Sequence, residues 1–86
     1  MKNIVLIVGE QELSFNPNEA DYGEYMAEVA QGEVVNASHN FLVNIVDEES
    51  KEALRDITKE NPSAALQITG EVLKQYTPKL QIKIKK

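Results

Sequence analysis

The chain opens on five consecutive aliphatic residues, Ile4-Val5-Leu6-Ile7-Val8, and closes on an alternation of Leu80, Ile82 and Ile84 with Lys79, Gln81, Lys83 and Lys85. The opening run has the length and β-branched content of a strand, and the period of two at the end predicts a half-buried strand. Gly9-Glu10-Gln11 separates the first run from Glu12-Leu13-Ser14-Phe15, in which Leu13 and Phe15 share one face. These segments read as a β-hairpin. The first strand is apolar at both parities, the signature of a strand covered on both sides.

Between the strands the apolar spacing is helical. Asn16-Pro17-Asn18-Glu19 predicts a helix start with Asn16 as cap, Pro17 in the first position and Glu19 closing a capping box. Tyr22, Tyr25, Met26 and Val29 then recur at i, i+3, i+4 and i+7, and Gly32 suits the stop. Residues 34–37 read as a loop. Ser38 is a cap for a second helix carrying Phe41, Leu42, Ile45 and Val46. Asp47-Glu48-Glu49-Ser50 interrupts that stripe and looks like a new helix start, so residues 38–60 form one bent helix or two. Ala53, Leu54 and Ile57 make the next inner face. On its outside Asp47/Lys51, Glu52/Arg55 and Asp56/Lys59 are spaced for ion pairs worth about 0.2–0.5 kcal/mol each. Asn61-Pro62 begins a last helix with Leu66, Thr69, Val72, Leu73 and Tyr76 inward, Gly70 at a close packing contact, and Thr77-Pro78 as its end.

The predicted fold is α+β in the order ββααααβ: an N-terminal β-hairpin, three to four helices, and a C-terminal strand completing a small three-stranded sheet. Placing the most apolar strand centrally gives the sheet order 2-1-3. The 86 residues are expected to form a single domain, 1–86. A chain this short buries a thin core, with net stability of about 4–13 kcal/mol.

This arrangement has an apolar surplus. Helices cover one face of the sheet, yet the first strand points aliphatic side chains both ways. Either Val5 and Ile7, or Ile4, Leu6 and Val8, are left on the open face. Such a strip, rimmed by polar groups, suits protein binding. Alternatively, the 31–38 loop or the stems of the C-terminal lysines cover it. Tyr22, Tyr25 and Met26 are either core residues or an adaptable anchor for a partner helix. The candidate protein-binding surface is therefore Val5, Ile7, Tyr22, Tyr25, Met26, Lys83 and Lys85.

Charge sharpens the picture. The formal net charge is −5, and it is unevenly spread. The first 73 residues hold 14 acidic and 4 basic groups, whereas Lys74, Lys79, Lys83, Lys85 and Lys86 follow with no carboxylate among them. An acidic body disfavours general binding to the phosphate backbone of nucleic acid. No cysteine is present, so disulfides and thiolate metal sites are excluded. The single histidine, His39, has no second His or Cys with which to form a catalytic or metal pair. The 47–49 carboxylates lack the alternating spacing and bend glycine of a calcium loop. No glycine-rich phosphate loop occurs. The longest apolar run is too short for a signal core or a membrane span. The expectation is a cytoplasmic, non-enzymatic protein-binding module with no cofactor, metal, small-molecule substrate, nucleic acid or membrane partner.

The chain resembles the small tail assembly chaperones of tailed bacteriophages and prophages. The likeness runs through Lys2-Asn3-Ile4-Val5-Leu6-Ile7-Val8-Gly9, the Phe15-Asn16 turn into an acidic helix, and His39-Asn40-Phe41-Leu42. It continues through Ser50-Lys51-Glu52-Ala53-Leu54-Arg55, Pro62-Ser63-Ala64-Ala65-Leu66-Gln67, Tyr76-Thr77-Pro78 and the lysine-rich ending. The resemblance implies a non-catalytic protein of the bacterial host cytoplasm. Such a protein coats the long, apolar, helical tape measure protein, keeps it soluble, and helps recruit tail tube protein. Self-association is a further expectation, as is a longer product made by ribosomal frameshifting near Lys85-Lys86. Two other readings stay open on the residues: an acidic inhibitor that mimics DNA, suggested by the 14 carboxylates, and a structural tail adaptor.

Overall fold

Gly9 sets the geometry of the first turn. Its φ of +64° is in the region only glycine adopts without strain, and Gly9-Glu10 forms the two-residue connection of an antiparallel hairpin. The strands are β1 (Ile4–Val8) and β2 (Gln11–Phe15), with Ile4 opposite Phe15 and Val8 opposite Gln11. Four helices follow: α1 (Glu19–Ala30), α2 (Val34–Ile45), α3 (Lys51–Glu60) and α4 (Ala64–Tyr76). A 3-10 turn at Glu48–Ser50 leads into α3. This computed structural model describes residues 3–77 and 82–85. The fold is α+β, a hairpin followed by four helices.

The sheet is built differently from expectation. Val46 forms an isolated antiparallel bridge with Phe15. It is flanked by Asn16 N–H donating to Ile45 O (2.7 Å) and Asp47 N–H donating to Ser14 O (2.8 Å). Ser14 N–H donates to Ser50 Oγ at 2.9 Å. The chain between α2 and α3 therefore occupies the free edge of β2, making β2 the middle element. The sequence order 2-1-3 put β1 there instead. The expected C-terminal third strand is not shown. The described residues form a two-stranded sheet, and Ile82–Lys85 carry no strand. Ile82 and Ile84 are 84% and 88% exposed. The rest of that predicted strand lies outside the described residues.

Leu13 and Phe15 are fully buried, as their shared face predicts, and they anchor a core with Ile4, Phe41, Leu42, Ile45, Leu54, Ile68 and Val72. Each large side chain removed from water in this way contributes about 1.5–3 kcal/mol. Helix starts are local chemistry. Asn18, not Asn16, caps α1: its Oδ1 accepts from Asp21 N–H at 2.9 Å, and its Nδ2 donates to Asp21 Oδ2 at 2.7 Å. Asn16 instead accepts from Asn3 Nδ2 at 2.9 Å, tying the entry of β1 to the exit of β2.

Gly32, at φ +87°, ends α1 as its position predicts. Gly32 N–H donates to Val29 O and Glu33 N–H to Glu28 O, the paired bonds of a Schellman stop. That sharp stop lets α2 begin at once. Residues 34–37 are thus helix rather than loop, and Ser38 lies buried within α2 rather than capping it. Residues 38–60 divide into two helices, with Asp47 Oδ1 accepting from Glu48 N–H at the break. In α4 the inner face is Ala64, Ala65, Ile68, Thr69 and Val72, while Leu66 faces outward. A side chain at Gly70 would meet no atom within 4 Å, so no close contact explains that glycine.

Candidate functional site

The alternation of β1 divides its aliphatic surplus. Ile4 is buried and Leu6 and Val8 pack partly against the core, whereas Val5 is 49% and Ile7 76% exposed. Register places Val5 opposite Ser14 and Ile7 opposite Glu12, so the open face of the hairpin carries two aliphatic side chains among polar neighbours. Among the described residues no strand pairs with the outer edge of β1.

Tyr22 and Tyr25 lie on the other side of the hairpin, in an aromatic cluster. Their ring centroids are 6.4 Å apart; Tyr76 meets Tyr22 edge-on at 5.7 Å, and Phe41 lies 5.1 Å from Tyr25. Both tyrosines are half-buried against the core. They dock α1, a helix with no fully buried residue of its own, onto α2 and α4. Met26, one residue beyond Tyr25, is exposed. Lys83 and Lys85 are exposed in the C-terminal segment. The predicted residues therefore fall into an open sheet face, an aromatic seam and a tail.

A further surface escaped the sequence pattern. α2 packs closely on α1 and α4, but α2 and α3 barely touch, leaving a groove between them. Along α2 the wall is Val35, His39 and Val43; along α3 it is Lys51, Arg55 and Lys59. Two adjoining recesses of about 270 and 390 Å³ share His39, Arg55 and Thr58, and Val46 and Leu54 line the first of them. Val35 and Val43 are 57% and 46% exposed. The basic residues are three of the four in the first 73 positions.

The ion pairs expected on α3 do not form. Among the described residues the pairs are Lys51–Glu48 at 3.1 Å and Lys74–Glu71 at 2.8 Å, so Arg55 and Lys59 are unpaired there. The hydrogen bond and charge of Glu71 hold the Lys74 ammonium above the usual lysine range. The spacing 51-55-59 was visible in the sequence, but the valine wall was not, because residues 34–37 read as a loop.

No group of three or more His, Cys, Asp or Glu side chains suited to a metal ion occurs among the described residues. No described helix is long and apolar enough to cross a membrane. What the surfaces offer is apolar contact, an open strand edge and localised positive charge, which is the chemistry of holding another polypeptide.

Comparison with known proteins agrees in kind. The chain resembles in fold an uncharacterised protein, rbstp2171, from Bacillus stearothermophilus, with a TM-score of 0.79 over 98% of this chain and 88% of that one, at 18% identity. No curated protein matches it. Residues 4–86 match the family described as phage tail assembly chaperone. On that match across almost its whole length, the chain belongs to the phage tail assembly chaperone family.

Proposed function

We propose that this protein binds the tape measure protein of a tailed phage in the bacterial cytoplasm and keeps it soluble until the tail tube assembles around it. The proposed role is stoichiometric and non-catalytic, and tail tube protein is a second proposed partner. Family membership supports the assembly role. The observation that carries the binding role is the exposure of Val5 and Ile7 on the open face of the hairpin, beside an edge of β1 that no strand pairs among the described residues.

A long apolar helix left alone in water aggregates through its exposed stripe. A small acidic protein lends it charge while covering that stripe with its own apolar strip. The acidic body remains outward: Glu19, Glu24, Glu52 and Glu60 are all exposed. Met26, Tyr22 and Tyr25 form a proposed secondary anchor, and Lys83 and Lys85 a flexible-register charge contact. The same apolar strip favours self-association of the free protein at high concentration.

Co-expression with the tape measure protein, followed by fractionation and pull-down, tests the proposal. Recovery of a soluble complex is expected. Failure to bind, with no gain in solubility, would refute it.

A further inference from the structure

We infer that the groove between α2 and α3 is a docking site for an amphipathic helix with an acidic flank. The inference deepens the chaperone reading, resting on it for the biological source of that helix. The two walls are of different chemistry and both repeat at i, i+4 and i+8. Val35, His39 and Val43 face the groove from α2; Lys59, Arg55 and Lys51 face it in the opposite chain direction from α3. Eight residues of helix rise about 12 Å, so each wall presents two turns.

An apolar stripe laid on Val35 and Val43, above Val46 and Leu54, leaves the flank of the incoming helix against the cations. Carboxylates at i, i+4 and i+8 of that helix match the cations in spacing. Charge complementarity selects this occupant. Arg55 and Lys59 have no ion-pair partner among the described residues, although the first 73 positions hold 14 carboxylates. The surrounding negative charge opposes a polyphosphate chain, and the valine wall offers such a chain nothing. The chain's own acidic α1 is a rival occupant, supplied by a second copy.

The test uses the full chain and two synthetic amphipathic helices of about 20 residues that share one apolar stripe. One carries Glu at i, i+4 and i+8 beside the stripe, the other Lys. Wild-type protein is expected to bind the Glu peptide saturably, with amide shifts centred on Val35, His39, Val43, Arg55 and Lys59. Affinity should exceed that for the Lys peptide by about tenfold or more and fall steeply with salt. The charge-reversed protein K51E/R55E/K59E changes exposed side chains only, and circular dichroism checks that it folds. It should lose the Glu peptide and gain the Lys peptide.

Equal binding of both peptides, binding of neither, or shifts centred on Val5 and Ile7 would overturn the inference. So would equally tight binding of a single-stranded DNA oligonucleotide at the same residues, or concentration-dependent shifts in the groove without peptide, which mark a second copy as the occupant. The two readings fail separately. If K51E/R55E/K59E still solubilises the tape measure protein, the groove is wrong and the chaperone role stands. If wild type binds the Glu peptide but leaves the tape measure protein insoluble, the reverse holds.

Discussion

Phe15 and Val46 face each other across an isolated antiparallel bridge, so the connection between α2 and α3 lies against the end of β2. One edge of β2 is closed by that connection and the other by β1. Among the described residues the edge left over belongs to β1, the strand with aliphatic side chains to spare. The open edge and the exposed Val5 and Ile7 therefore lie on the same strand.

The closure depends on a hydroxyl. Ser14 N–H donates to the buried Ser50 Oγ. Ser50→Ala leaves that amide without its acceptor and is expected to cost about 1–3 kcal/mol. For a domain of this size each kcal/mol lowers the melting temperature by about 4–8 °C, which thermal unfolding by circular dichroism measures directly.

Two glycine substitutions should move stability in opposite directions. Gly32→Ala forces an L side chain to φ +87° and is expected to destabilise by about 1–2 kcal/mol, although no atom lies within 4 Å to clash with it. Gly70→Ala, in the exposed interior of α4 and equally free of neighbours, is expected to stabilise by about 0.5–1 kcal/mol. Urea unfolding with unchanged slope checks both.

A stop codon after Gln81 removes Ile82 and Ile84, which are almost fully exposed. The unfolding free energy is expected to stay within about 0.5 kcal/mol of the full chain. A drop of several kcal/mol would show that the segment completes the sheet, as its alternation first suggested.

The two parities of β1 and β2 separate fold from function. Leu13→Ser places a polar group in a fully buried position and is expected to cost about 2–5 kcal/mol, a large share of the total stability. Ile7→Ser changes an exposed side chain and is expected to shift stability by less than about 0.5 kcal/mol. Denaturant titration distinguishes the two, and the second variant is then fit for binding assays.

Much of the fold was legible because local signals and burial agree. The hairpin followed from Gly9 and the shared face of Leu13 and Phe15, the end of α1 from Gly32, and the break before α3 from the acidic cluster at Asp47. Errors arose where tertiary structure chose between local options. Asn16 and Asn18 are both good caps, and the bond from Asn3 to Asn16 left Asn18 as the cap of α1. Leu66 is more apolar than Ala65, yet Ala65 faces the core with Ile68, on the side of α4 that packs closely on α2. The alternation at the C-terminus is a strand pattern, but Ile82–Lys85 carry no strand and the rest of the segment lies outside the described residues; that Val46 would bridge to Phe15 at the edge of β2 was not announced by any local signal. Of the candidate surface, parity narrowed the exposed set to Val5 and Ile7 or to Ile4, Leu6 and Val8, and the burial of Ile4 beside the exposure of Val5 and Ile7 separates the two. The α2–α3 groove was missed because residues 34–37 read as a loop and because Lys51, Arg55 and Lys59 were assigned to Asp47, Glu52 and Asp56, with none of which they pair.

The most direct measurement is the soluble fraction of the tape measure protein on co-expression with wild type, with the V5S/I7S double variant, and with no chaperone. A high soluble fraction is predicted with wild type alone, given that the double variant is folded and equally abundant. If the folded double variant sustains the same fraction, or if the tape measure protein stays soluble by itself, the claim that the uncovered face of the hairpin holds it is wrong.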